Sequence, residues 1–153
     1  MHTLVPWTDA LLPHFERLNR EWLEAHFVVE AKDVEMFRDP KAAFIDGGGT
    51  IVFAVGDDGM PVGCAAARRV DETTFELAKM AVTADARGQG IGRRLGEAII
   101  AHARQAGASR VILISNSKLD AALRLYERLG FRHDTPPTDT GYARCDIYMV
   151  LSL

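Results

Sequence analysis

The sequence predicts an α/β (α+β) fold, with a mixed, mostly antiparallel sheet flanked by helices. Three observations predict it. The β-prone runs "TIVFAVG", "PVGCAAARRV" and "TFELAKMAV" follow one another across the compact turns "DDG" and "DET", as in an antiparallel meander. A glycine-rich stretch then opens a segment whose apolar residues recur at helical spacing. Behind it, the continuous apolar run "RVILIS" has the character of a buried strand, and a further helical pattern follows.

In chain order, Leu11, Leu12, Phe15, Leu18, Trp22 and Phe27 recur at near-helical intervals and predict a helix from Thr8 onward, with Pro13 in its first turn. A short second helix is expected in "KDVEMFRDP", closed by Pro40, and the loop "DGGG" separates it from the three strands. The next helix should run from about Gly90 to Gln105, with Ile91, Leu95, Ala98, Ile99, His102 and Ala106 as its apolar stripe and Gly107 as its C-cap. After "RVILIS" a helix is expected from Lys118 to Leu129, stopped by Gly130. The chain then passes through "FRH" and a loop rich in Pro, Thr and Asp to a last strand, "RCDIYMVLSL".

At 153 residues, 48% hydrophobic and 25% charged, the chain fits one domain spanning 1–153. A formal net charge of -3 provides no broad basic field, so nucleic acid is not an expected partner. The longest aliphatic run is near "IVFAV", far short of the roughly 18 residues that a membrane span requires, and the first residues lack a basic region followed by an apolar one. No membrane association is expected. Cys64 and Cys145 stand far apart without ligand spacing, which suits a reducing, cytoplasmic setting. The five histidines show no paired spacing, and no metal is expected.

The glycines carry the chemistry. In "TADARGQGIGRRLGEAIIAHA", Gly88, Gly90 and Gly92 stand at the mouth of a helix. There, bare backbone leaves several N–H groups and the positive end of the helix dipole open to phosphate oxygens. The stretch is not a P-loop, because Arg93 and Arg94 follow Gly92 where Lys-Ser/Thr would be needed. Nor is it G-x-G-x-x-G: counted from Gly88 the third glycine falls on Arg93, and counted from Gly90 it falls on Leu95.

What fits is R-x-x-G-x-G, Arg87-Gly88-Gln89-Gly90-Ile91-Gly92, between a strand ending in Val82 and an amphipathic helix. With "MAV" ahead of it and "VILIS" and "AALRLYERLGF" behind, this order resembles the GNAT superfamily of N-acetyltransferases, most fully over residues 50 to 133. The resemblance implies a sheet splayed between its fourth and fifth strands. Acetyl-CoA would be the co-substrate, its pyrophosphate held by Arg87, Gly88, Gln89, Gly90, Ile91, Gly92 and Arg93. Main-chain groups of Met80, Ala81 and Val82 would hold the pantetheine arm, and the Met80 N–H would face the thioester carbonyl. Arginines 87, 93 and 94 would add charge or simply be solvated.

The same resemblance marks Tyr126, in "LRLYERLGF", as a general acid for the departing thiolate, although its spacing with Leu119, Ala122 and Leu129 also suits a core aromatic. It marks Glu76 as the base that takes a proton from the amine. Alternation along the strand puts Glu76 on one side with Ala78, Met80 and Val82, and an ion pair with Arg68 or Arg69 is the other reading. The family's acidic residue in the "RVILIS" strand is missing here. Its asparagine seven residues before the tyrosine is replaced by Leu119, which leaves Asn116 as a contact to the coenzyme or as a helix-entry residue.

The acceptor would be a primary amine of a small molecule or peptide, attacking directly in a ternary complex. It would lie near Trp22, Phe27, Glu30 and Tyr142, with Glu21 and Arg144 also in range, where aromatic and acidic groups together suit a small amine. The apolar "IYMVLSL" end points to a homodimer. Two other classes stay open: a non-catalytic coenzyme A binding module and a nucleotide-binding regulator.

Overall fold

The computed structural model describes residues 1–136 and 140–153. Its first element is a strand the sequence pattern does not announce, β1 (Thr3–Pro6), four residues long and laid antiparallel on β2 (Thr50–Val55) at one sheet edge. Pro6, which cannot donate to a ladder, is tolerated at such an edge.

Helix α1 (Leu12–His26) begins later than Thr8, because the Thr8 hydroxyl and carbonyl both accept the Leu11 N–H in a preliminary turn. Pro13 then falls in the first turn, where a missing N–H costs nothing. Helix α2 (Ala31–Arg38) starts from a reciprocal cap in which Asp33 accepts the Glu30 N–H at 2.9 Å and Glu30 accepts from the first turn. Beyond Pro40 the chain makes a wide turn, Lys41–Ile45, in which the Asp46 N–H reaches the Lys41 carbonyl at 2.9 Å.

The meander is β2, β3 (Pro61–Arg69) and β4 (Thr74–Val82). After it come α3 (Ile91–Gln105), β5 (Arg110–Ser115), α4 (Asp120–Leu129), the two-residue β6 (Arg132–His133) and β7 (Ile147–Ser152). On α3 the buried face is Ile91, Leu95, Gly96, Ile99, Ile100 and Ala103, while Ala106 lies past the helix end and is exposed, so the stripe is turned slightly from the expected one. The last strand starts three residues after Arg144. The Asp146 N–H still bonds the Ser115 carbonyl of β5 at 3.0 Å, but its side chain turns back to accept the Ser117 N–H and hydroxyl at 2.8 and 2.7 Å, and Arg144 is drawn toward α2.

The strand order is β1-β2-β3-β4-β5-β7-β6, antiparallel throughout except between β4 and β5. That parallel pairing covers only Thr74–Glu76 against Arg110–Ile112. From Leu77 to Val82, β4 has no partner on β5, and the sheet opens into the splay expected of its fourth and fifth strands.

One core, containing Leu95, Ile99, Val111 and Met149, packs α3 and α4 on one face of the sheet. The other, containing Phe15, Phe37, Phe44 and Phe53, packs α1 and α2 on the opposite face, with Phe15 edge-on to Phe37 and Phe44. Met149 and Leu151 are buried in the first of these cores and Tyr148 is buried as well, while Ile147, Val150 and Leu153 are half-buried on a strand that lies inside the sheet.

Candidate active site

The loop between β4 and α3 is built from backbone. Gly88 and Gly90 adopt φ of 79° and 78°, a left-handed conformation that other residues enter only with strain. Among the described residues, the N–H groups of Gly88, Gln89 and Gly90 donate to no carbonyl or side chain. Those of Ile91, Gly92 and Arg93 form the first turn of α3 and have no carbonyl behind them. A run of free donors therefore stands at the positive end of a 15-residue helix.

The arginines are less free. Arg87 donates to the Val82 carbonyl at 3.2 Å, Arg93 pairs with Glu97 at 2.9 Å and Arg94 donates to the His2 carbonyl at 2.9 Å. Gly92 serves a different purpose from its neighbours: a Cβ there would sit 3.2 Å from Leu125, so it lets α4 approach α3.

On β4 the alternation expected from the sequence breaks. Cys64 pairs with Ala81 and Ala66 with Ala78, so Lys79 and Met80 together face the single residue Ala65. This is a β-bulge, with Lys79 at φ 53°. The extra residue turns the rest of the strand over: Phe75 and Leu77 belong to the α3 side, Ala78 to the α1 side, and Met80 and Val82 to the α3 side again. Glu76 therefore shares a face with Ala78 but not with Met80 or Val82. Met80 has no register partner on either neighbouring strand, which leaves its main chain at the opening.

A cavity of about 100 Å³ lies in this opening. Glu76, Met80 and Tyr126 all line it, and so does Asn116 at the end of β5. Glu76 Oε1 accepts two bonds from Arg68, at 2.9 and 2.8 Å, so the expected ion pair is present. No described residue bonds Oε2. The Tyr126 ring packs edge-on to Phe131, and its hydroxyl makes no hydrogen bond with the described residues. Burial pushes that phenol up to about 12, which keeps it protonated across the neutral range. Asn116 is occupied at both ends, donating to the Arg144 carbonyl and accepting the Lys118 N–H at 2.8 Å.

The far end of the cavity differs from the expectation. Trp22, Phe27, Tyr142 and Arg144 line it, but Glu30 and Glu21 do not. Glu30 is spent on the Ala143 N–H at 2.9 Å and the Arg144 guanidinium at 3.2 Å. Arg144 also makes a two-pronged pair with Asp33, at 2.7 and 2.8 Å, and Asp33 accepts from Lys79 as well. Asp33 is fully buried. Burial would raise its pKa, but the bonds from Arg144 and Lys79 outweigh that and hold the carboxyl at about 2.

Burial also lowers the Lys79 pKa against the pull of Asp33, and Lys79 donates to the Tyr142 hydroxyl at 3.1 Å. Lys79 and Lys32, which line the cavity, and Asp33, which holds Lys79 and Arg144, are site residues that sequence reasoning missed. The available signal was a lysine interrupting the apolar run "LAKMAV". Burial drives the thiols of Cys64 and Cys145 up to about 12 and about 11, so neither is a thiolate nucleophile near neutrality.

A run of unpaired N–H groups at a helix start, a sheet splayed between β4 and β5, and a tyrosine beside the gap define the class: an α/β fold with a cleft between two of its strands. The family model described as "Acetyltransferase (GNAT) family" matches residues 12–131, and the chain belongs to that family. It is 34% identical over 115 residues to human N-acetylaspartate synthetase, covering 74% of this chain and 36% of that protein. It is 31% identical over 113 residues to the probable N-acetyltransferase camello of Xenopus laevis, covering 72% and 52%. The chain thus spans only about a third to a half of the length of these relatives.

Among solved structures, a GNAT-family acetyltransferase from Staphylococcus aureus Mu50 superposes with a TM-score of 0.89 at 16% identity, covering 99% of both chains. A phosphinothricin acetyltransferase from Sinorhizobium meliloti, solved with acetyl-CoA, superposes with a TM-score of 0.79 at 19% identity over 99% of this chain and 88% of that one. At these identities the likeness is one of fold.

Proposed function

We propose that this chain is an acetyl-CoA-dependent N-acetyltransferase that moves an acetyl group to a primary amine of a small molecule or peptide, with direct attack in a ternary complex. The observation that carries this reading is the run of unpaired N–H groups from Gly88 to Arg93 beside a β4–β5 opening lined by Glu76 and Tyr126. Acetyl-CoA fits this donor set, because a diphosphate needs several converging N–H groups and a pantetheine arm needs unpaired strand edge. When bound, it supplies an activated acetyl thioester.

The chain's own residues do the rest. Gly88, Gln89, Gly90, Ile91, Gly92 and Arg93 hold the diphosphate, and Arg87 braces the loop against β4. The main chain of Met80, Ala81 and Val82 receives the arm, and the Met80 N–H, freed from the ladder by the bulge, stabilises the developing oxyanion. Oε2 of Glu76 takes the amine proton, directly or through water, while Arg68 fixes the other oxygen. The Tyr126 hydroxyl, protonated and without a hydrogen-bond partner among the described residues, donates to the departing sulfur. Asn116 shapes the wall by joining the end of β5 to residue 144.

Residues 1–153 act here as one acetyltransferase domain, and the two free cysteines suit a cytoplasmic setting. Of the apolar last strand from which a homodimer is expected, Tyr148, Met149 and Leu151 are buried in this chain, while Ile147, Val150 and Leu153 stay half-buried. Among the described residues no helix is long and apolar enough to cross a membrane, and no group of three or more His, Cys, Asp or Glu is placed to hold a metal ion.

Calorimetry with CoA and acetyl-CoA, followed by a thiol-release assay across a library of amines, tests the reading. Saturable binding of both and thiol release dependent on an amine are expected. No binding heat at millimolar CoA would overturn it, and binding without turnover on any amine would leave a coenzyme A binding module instead.

A further inference from the structure

The acceptor end of the cavity is electrically lopsided. Three cations gather around one ring: the Arg144 guanidinium carbon lies 4.5 Å from the Tyr142 centroid, Lys79 Nζ 4.7 Å and Lys32 Nζ 5.0 Å. All three residues line the cavity. The carboxylates that balance Arg144 and Lys79, those of Asp33 and Glu30, are not part of the lining and hold their partners from behind. Lys32 forms no ion pair among the described residues. Among the described residues, the acidic one in the lining is Glu76, with one oxygen already bound to Arg68. The cavity lining thus combines a carboxylate from β4, Glu76, with an ammonium from α2, Lys32, that has no ion-pair partner among the described residues.

Resting on the acetyltransferase reading above, the geometry points to a more specific acceptor: we propose a small amine that also bears a carboxylate, such as a free amino acid, with Lys32, seated on the Tyr142 ring, receiving that carboxylate. A zwitterion matches this field end for end, its amine toward Glu76 and its carboxylate toward Lys32. An amine without a carboxylate would meet the cationic end with nothing to offer it, and a diamine would be repelled there. Asp33 and Glu30 act as positioning residues, since they anchor Lys79 and Arg144 and so leave Lys32 as the spare charge. Tyr142 contributes its face, which accepts cation contacts while its hydroxyl is engaged by Lys79 and Met36.

The test compares L-alanine, L-methionine, L-aspartate and L-glutamate with the derivatives in which every carboxylate is a carboxamide, using thiol release from saturating acetyl-CoA. At least one free acid should exceed its amide by about 30-fold in kcat/KM, since a charge-assisted contact is worth about 2 kcal/mol. In Lys32→Met that ratio should fall to within about threefold, chiefly through KM, and Lys32→Arg should restore much of it. Amides used as well as acids would overturn the proposal, and so would a preference that Lys32→Met leaves intact. If nothing in the panel turns over, calorimetry of the same acids on CoA-loaded protein decides, and absence of binding overturns it. Loss of CoA binding itself would instead bring down the acetyltransferase reading, and this inference with it.

Discussion

The two ends of the cavity are made of different material. At the cofactor end the ligand would meet main chain: the N–H groups from Gly88 to Arg93, and the unpaired length of β4. At the acceptor end it would meet charged side chains, Lys32, Lys79 and Arg144, held by carboxylates from 33 and 30. Backbone donors are alike in every residue but proline, so a site made of them depends on conformation and tolerates other sequence change wherever φ is ordinary. A site made of side chains depends on identity and can be retuned by single substitutions. One end is suited to a constant ligand, the other to a ligand that differs between family members.

Breaking the acceptor end should have the largest effect. Asp33→Ala leaves Lys79 and Arg144 buried with their shared partner gone, and loss of one member of such a cluster costs about 3–5 kcal/mol. Thermal unfolding should show a fall of roughly 10 °C; a change under about 2 °C would mean the cluster is solvated and the contrast between the two ends is smaller than drawn. The pH dependence has a definite sign. The Asp33 pKa is depressed from 3.8 to about 2, so its contribution is present above about pH 4 and is lost as pH falls from there toward 2. Wild-type protein should lose this part of its stability in that window, and Asp33→Asn should not.

Next in size is the junction between the ends. Glu76→Gln keeps the strand but removes the proton acceptor, and turnover at pH 7 should fall by about 100-fold or more with acetyl-CoA affinity nearly unchanged. Equal turnover in both proteins would remove Glu76 from the mechanism and leave its pair with Arg68 as its whole purpose. The smallest effect is expected at the cofactor end. A Cβ on Gly90 meets nothing within 4 Å, so Gly90→Ala acts only through the left-handed φ of 78°. A cost of about 1–2 kcal/mol for that conformation predicts a roughly tenfold weaker dissociation constant for CoA by calorimetry. No change would show that the loop does not have to hold its shape for the ligand.

This difference in material also governs what the sequence discloses. The strand, glycine loop and helix around residues 80 to 105 are contiguous, so spacing alone locates them, and Tyr126 follows in a helix whose end is marked by Gly130. The acceptor cluster joins Asp33 to residues 46 and 111 positions away, and no local pattern links them. Glu30 has the right neighbours but the wrong task, because capping α2 and holding residues 143 and 144 uses its carboxylate.

The orientation of Met80 relative to Glu76 was out of reach for a further reason. Period-two alternation assumes an unbroken ladder, and one extra residue at Lys79 reverses it. The strand β1 escaped notice because four residues, ending in proline, carry too little pattern to stand out.

Helix α4 has no fully buried residue, yet it carries Tyr126. Its distance from α3 is set at Gly92 and Gly96, where added Cβ atoms would stand 3.2 Å from Leu125 and 2.7 Å from Leu129. These two glycines act as a shim between the helices. A methyl group at either place would press on the far end of a leucine side chain of α4, which must turn aside to admit it, so the seating of the helix that carries Tyr126 draws on space left open by its neighbour.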